Sequence, residues 1–401
     1  MKRKHFLLMI ASIIAMILFS VGLAACGDIN TPNLGSSEVG WQRLYGGTET
    51  DIGNSIQQTA DGGYIIAGET ESYGDSDRDF YLIKTDAVGT TTWTKSIGGV
   101  DDDRALCVRQ TSDGGYIVTG ILRSFSAGGT DVWLWKVDSD GNMSFIEDFG
   151  GIGNEVGSSV RQTADGGYII AGNTTTSSAD ADIWLIKTDS GGDEEWSKRY
   201  SGVGSDYGDS VQQLSGVGYI ITGGSHNGSG SCDIILIKTD ASGNPTSNKM
   251  FGGTGFDRGK SVQELSEGGF ILVGETTSYG AGGSDIWLIK TDSNLNEIWS
   301  KTFGGSGDEY GESVLQTSDG GFIIAGSTTS YGAGGSDVWL VKTDSGGNET
   351  WSKTFGDAED DAGNAVIETS EGGFAITGRI KSVEYGTSDI FLIVTNENGD
   401  I

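Results

Sequence analysis

Proline is almost missing from this chain, with Pro32 and Pro245 its only two residues against 68 glycines. Glycine at that level without proline excludes a collagen-like helix, and the accompanying Tyr, Trp, Val and Ile exclude a disordered low-complexity chain. An all-β protein with many tight turns remains. Cysteine is scarce too, at three residues, so no disulfide framework is available. Cys107 and Cys232 fall at different positions of the repeat described below and are not expected to pair. Histidine occurs twice, as His5 and His226. A Ser-His-Asp or His-metal mechanism would have to rely on His226, whose neighbours Gly224, Ser225, Asn227 and Gly228 read as an exposed turn. No catalytic set is expected.

Basic residues are few, 25 against 56 acidic ones, for a formal charge of −31. Such a field repels nucleic acid and anionic headgroups, so neither is expected to bind the folded part. It suits solubility and weak cation binding.

The long apolar run is confined to the N-terminus. Lys2, Arg3 and Lys4 precede an almost wholly apolar stretch from Phe6 to Leu23, and Leu23-Ala24-Ala25-Cys26 follows. A basic start, an apolar centre and small residues before a cleavage point mark a signal peptide. The tetrad resembles the lipobox of bacterial lipoproteins, which implies lipidation of Cys26 and export to the cell envelope. Gly27 in place of Asp implies, by the same resemblance, transfer to an outer membrane where the source has one. An uncleaved span of about eighteen residues is the alternative. The expected division is 1–25 signal peptide, 26–38 lipidated Cys and polar tether, and 39–401 folded domain.

Internal repetition organises that domain. Asp61-Gly62-Gly63-Tyr64 returns six times, as Asp113–Tyr116, Asp165–Tyr168, Gly216–Tyr219, Glu267–Phe270, Asp319–Phe322 and Glu371–Phe374. In the sixth copy the pattern predicts strand A at Glu312–Gln316, B at Phe322–Gly326, C at Asp337–Lys342 and D at Trp351–Gly356. Strands B and C are apolar runs, as sheets covered on both faces require. The last copy stops in its C–D turn at Asn398–Ile401, and the missing strand D stands at the other end of the domain as Trp41–Gly47. The N-terminal strand should therefore complete the last blade. The expected fold is a closed seven-bladed β-propeller of four-stranded antiparallel blades. Small residues such as Ser55, Ser159 and Ser210 in strand A, against Trp in strands C and D, fit a wedge that widens outward.

The wording W-S-K-T-F-G-G, S-D-G-G-Y-I-I-A-G and D-I-W-L-I-K-T-D resembles the β-propeller repeat family of bacterial and archaeal surface proteins, over residues 41 to 401. The resemblance implies an extracellular propeller and no single activity. Two copies depart from it, with Phe145 and Ser247 in place of the strand-D Trp.

Three groups of residues could carry function. One acid recurs in each D–A connection: Asp51, Asp103, Glu155, Asp206, Asp257, Glu309 and Asp361. These could fix their tight turns through backbone hydrogen bonds or form a cation-attracting channel mouth. The longer B–C loops carry Tyr73, Phe125, Tyr279, Tyr331 and Tyr385, which could pack their own loops or stack on sugar faces. Asp75, Asp77 and Asp79 alternate like the early ligands of a calcium loop, near Asp101, Asp102 and Asp103, although an EF-hand's Gly and final Glu are absent. Gly253–Gly259 resembles a phosphate loop, but no helix follows it. The leading expectation is a monomeric, lipid-anchored, non-catalytic module binding protein or glycan, with Ca²⁺ as the one cofactor the acids could accept. Its rivals are a propeller enzyme (a metal- or quinone-dependent oxidoreductase, or a polysaccharide lyase or hydrolase) and a purely structural envelope protein.

Overall fold

The computed structural model describes residues 40–74, 77–126, 128–175, 180–226, 230–383 and 386–401. Cys26 and the leader, Asp75 and Tyr385 lie outside these residues. The described chain forms seven four-stranded antiparallel sheets, each built from consecutive strands A to D except the last. In blade 7, Ala362–Glu368, Phe374–Lys381 and Ser388–Thr395 are joined by the N-terminal strand Trp41–Tyr45. That strand runs antiparallel to the last one, Trp41 opposite Val394 and Tyr45 opposite Ile390. A Cβ on Gly40 would lie 2.5 Å from the Ile401 Cα, so the two ends of the domain touch. The propeller is closed as the repeat demands.

Each strand A contacts strand A of the next blade, and Ala362–Glu368 of blade 7 contacts Asp51–Gln58 of blade 1, so these strands form the inner ring. The small residues of strand A have a specific task there. Ser55 Oγ accepts a hydrogen bond from the Val108 N–H at 3.2 Å, and Ser159, Ser210, Ser261 and Ser313 repeat it one blade further on. A second circle lies in the A–B turns. The Ala60 N–H donates to Gln110 Oε1 of the next blade, and the series closes where the Ser370 N–H donates to Gln58 Oε1 at 2.8 Å. Backbone donors that one sheet cannot satisfy are thus met by its neighbour.

Farther out, apolar strands B and C are buried on both faces; Phe322–Thr328 and Asp337–Thr343 are buried throughout. The strand-D aromatic of one blade packs on the first strand-B aromatic of the next, as in Trp299 on Phe322 and Trp351 on Phe374, each with centroids 5.9 Å apart. Phe145 keeps this contact with Tyr168. At Ser247 it is lost, and Phe270 keeps only the lysine contact, Lys238 Nζ at 6.0 Å, that Phe322 also has from Lys290 at 5.7 Å.

Strand A of blade 6 begins at Glu309 rather than the expected Glu312. Gly311 hides the extension, because glycine weakens a strand pattern. Its role is close approach: a Cβ there would lie 2.8 Å from Val273 Cγ2 of blade 5.

Candidate functional site

In every blade the A–B pairing slips by one residue after the glycine or alanine of strand A, at Gly53/Ser55 in blade 1 and Gly259/Ser261 in blade 5, for example. The skipped residue is a β-bulge, left out of the ladder and turned away from it. Counting from the acidic residue, it is the fourth, and with the second it stays partly open to solvent on the inner ring. Flanking positions are nearly uniform around the ring. These two are not: the second runs Ile52, Arg104, Val156, Tyr207, Arg258, Tyr310, Ala362, and the fourth Asn54, Leu106, Ser158, Asp209, Lys260, Glu312, Asn364.

Charge gathers on one side of this ring. Arg258 donates to Asp209 through Nε at 2.9 Å and Nη2 at 2.7 Å, and its guanidinium lies 4.7 Å from the centroid of the Tyr207 ring. Burial opposes its charge, yet Asp209 holds its pKa above the ordinary arginine value. Lys260 Nζ reaches Glu312 Oε1 at 3.7 Å, which raises the lysine pKa. Glu275 of strand B belongs to the same field; burial raises its pKa and Lys260 partly offsets that. Across blades 1 and 2, Glu69 is buried and held by Arg78 at 3.0 Å and Arg104 at 3.3 Å. Ile52, Tyr310, Glu312, Ser327, Asn364 and Arg379 line a cavity of about 250 Å³ beside these groups. A larger groove of about 620 Å³ lies between blades 4 and 5, bordered by Met250, Phe251, Tyr279, Trp287 and Lys301.

The expected aromatics do not converge. Tyr73, Tyr279 and Tyr331 each donate a hydroxyl to a D–A carbonyl, of Gly46, Gly252 and Gly304, at 2.5, 2.9 and 3.1 Å. Each ring also rests on a strand-C aromatic, as Tyr331 does on Trp339 with centroids 5.3 Å apart. Tyr279 and Tyr331 still expose 47% of their surface, and Phe125 exposes 37%. They are rim residues, one to a blade.

The recurring acids are not exposed connections. Asp51, Asp103, Glu155, Asp206, Asp257, Glu309 and Asp361 are all buried, at or just before the head of strand A. They fix turns: Asp51 accepts from the Gly47 N–H at 2.9 Å, Glu309 from Gly305 at 2.7 Å and Asp361 from Asp357 at 2.9 Å. Burial keeps these seven side chains from presenting open carboxylates at the surface. The calcium-loop reading is altered as well, since Asp77 is exposed while Asp79 is buried in strand C. His226 is the last residue of strand B in blade 4, half-buried, its Nδ1 2.6 Å from the Ser205 carbonyl oxygen, and no exposed turn. Cys107 and Cys232 are buried free thiols.

Sequence reasoning missed the inner-ring cluster. The signal was available: seven aligned copies differ sharply at two positions inside an otherwise uniform strand.

No protein-family model matches the chain, and no curated protein matches it. Solved structures do. The WD40 domain of Pan2 from Neurospora crassa matches with a TM-score of 0.50 at 10% identity, covering 87% of this chain and 91% of its own. Sqt1 from Chaetomium thermophilum matches with a TM-score of 0.48 at 13% identity, over 84% and 83%. A protein of unknown function from Bacteroides caccae gives 0.45 at 11% identity, over 77% and 94%. At these identities the likeness is one of fold.

Proposed function

We propose that this protein is a lipid-anchored, extracytoplasmic binding module without catalytic activity, which holds a charged segment of a protein or glycan ligand at the inner ring. One observation carries the reading. Framework positions repeat around the propeller, while the two solvent-open positions of strand A diverge and bring Asp209, Arg258, Lys260 and Glu312 to one sector, beside Glu275 of strand B. Variation at a few positions of a rigid scaffold is how binding surfaces are made. Both signs of charge in a partly dehydrated recess favour a ligand that presents both, because electrostatic complementarity selects partners more than it raises affinity. The chain enters the propeller at Gly40, beside the C–D turn at Ile401. A lipid on Cys26 would tether the domain by its turn face and leave the B–C and D–A loops free.

The test is a glycan array and an affinity capture run with three proteins: the natural chain, Lys260→Ala/Glu275→Ala/Glu312→Ala, and Tyr73→Phe/Phe125→Ala/Tyr279→Ala/Tyr331→Ala. Binding lost in the inner-ring variant and retained in the rim variant supports the proposal. The reverse pattern moves the site to the rim and overturns it.

A further inference from the structure

The sixth residue of strand B is a third variable position of the inner ring. It stands in register opposite the second residue of strand A, as Glu69 does to Ile52, Ser327 to Tyr310 and Arg379 to Ala362. Around the propeller it runs Glu69, Ile121, Asn173, Gly224, Glu275, Ser327, Arg379. Three of these are charged, and two of the three are answered. Glu69 is met by Arg78 and Arg104, and Glu275 by the charge of Lys260. Arg379 is half-buried, and among the described residues it makes no ion pair and no side-chain hydrogen bond. Its guanidinium donors are all open.

The residue opposite explains the space around it. Ala362 is the smallest of the seven at its position, and where a longer side chain would lie there is the cavity of about 250 Å³. Tyr310 and Ile52, from the blades on either side, supply apolar walls. The remaining lining groups are acceptors without full partners. Asn364 spends its amide N–H on the Gly53 carbonyl at 2.9 Å, which leaves its Oδ1. Ser327 is 8% exposed, and its hydroxyl makes no hydrogen bond among the described residues. Glu312 has only the distant contact with Lys260 at 3.7 Å, which offsets its charge without filling its oxygens. Polar groups left open in a recess lose water without regaining a hydrogen bond, and their convergence in a cavity marks a ligand site.

We infer that this cavity binds the carboxylate-bearing ring of an acidic sugar, of the uronic acid class. The inference deepens the binding reading above and rests on it. A planar guanidinium fork matches a carboxylate in two parallel hydrogen bonds. Beside it, Glu312, Asn364 Oδ1 and the Ser327 hydroxyl call for several donors, and sugar hydroxyls provide them. A peptide carboxylate brings the anion without those donors. The C–H face of the ring lies on Tyr310, whose ring is apolar and whose hydroxyl is polar. The volume is below the ~300–1,000 Å³ of drug-sized pockets, so it takes one ring and not an oligomer. The chain's net charge of −31 opposes approach of an anion, but that repulsion is screened beyond about 8 Å at physiological salt.

The test is isothermal titration of the full chain in detergent, at physiological salt, with methyl glucuronide, methyl glucoside and N-acetylglutamate. By ordinary ligand efficiency a sugar of this size binds at about 1 mM, and the glucuronide is expected there. The glucoside lacks only the carboxylate and N-acetylglutamate lacks the hydroxyls; each should bind roughly tenfold or more weakly. Arg379→Gln should weaken the glucuronide by about 10–100-fold and leave the glucoside unchanged. Ala362→Leu should block the cavity, and it carries the test if Arg379→Gln does not fold. Tyr331→Phe, on the rim, should bind as the natural chain does. No glucuronide binding at about ten times the expected dissociation constant, equal binding of the glucoside or of N-acetylglutamate, or full affinity in a folded Arg379→Gln protein overturns the inference. Array binding lost in Lys260→Ala/Glu275→Ala/Glu312→Ala while Arg379→Gln binds glucuronide normally refutes the sugar site and leaves the inner-ring reading standing.

Discussion

Leu295 occupies the space that Ser247 leaves open. In other blades the glycine of the C–D turn lies against the strand-D aromatic of the preceding blade; a Cβ on Gly347 would be 2.6 Å from Trp299. In blade 5 that position is Leu295, buried in the cluster of Phe251, Phe270 and Leu236, and held at a φ of 66°. A non-glycine residue in the left-handed region is disfavoured by roughly 1–2 kcal/mol. Filling the cavity left by a missing indole outweighs that.

Leu295→Gly is therefore expected to relieve the backbone and open a void, for a net loss of about 1–3 kcal/mol in chemical denaturation. Ser247→Trp alone should overpack against Leu295. The double variant Ser247→Trp/Leu295→Gly should recover most of the stability, and a strictly additive pair of losses would refute the compensation.

The closing strand yields a second expectation. Trp41 lies edge-on to Tyr64 at 6.1 Å and against Gly89. Trp41→Ala should destabilise the whole propeller by about 2–4 kcal/mol, since a large aromatic is lost from a partly open site. Removing residues 1–46 should expose Ser388–Thr395 as an apolar edge and cause aggregation, measured by light scattering. A monodisperse, cooperatively melting truncated protein would contradict the role given to that strand.

In the inner ring, Asp209→Ala strands the guanidinium of Arg258, which is 26% exposed beside a carboxylate 13% exposed. A loss of about 1–3 kcal/mol is expected in urea unfolding, less than for a fully buried pair. Asp209→Ala/Arg258→Met should be more stable than Asp209→Ala. If it is not, the arginine is held by Tyr207 and not by the ion pair.

Acid should weaken the A–B turns in a definite window. At Asp113 the Thr111 hydrogen bond, with help from Lys136 and the Gly115 N–H, outweighs partial burial and holds the carboxyl to about 2. Asp165 and Asp319 are likewise held to about 2, where burial raises the value but Thr and Lys contacts prevail. A carboxyl with a folded pKa below its unfolded one, about 3.9, contributes stability that is complete above that value and vanishes as pH falls toward 2. Asp113→Asn should flatten part of the stability loss between pH 4 and 2 while leaving the curve above pH 5 parallel to that of the natural chain.

Strand boundaries and the acidic ring show where sequence reasoning stopped. The tetrads from Asp61 to Phe374 fix the number of blades, because a constant pitch can be met only by identical units. Glu309 could not be read as a strand residue, since Gly311 interrupts the pattern that defines one. The seven recurring acids were visible as a set, but their burial was not. Tyr310 and Arg379 belong to different blades, and only blade-to-blade packing brings them to one cavity.

The amino-acid order alone determined the repeat, the apolar B and C strands and the closing match between Trp41–Gly47 and the strand absent from the last copy. All are local patterns or self-similarities, which need no knowledge of distance. Tertiary structure decided which side chains face the inner ring, which of them enclose the cavity at Arg379, and what fills the gap at Ser247. Those outcomes depend on a bulge that turns one residue out of each ladder and on contacts between sheets, and neither is written in the spacing of residues along the chain.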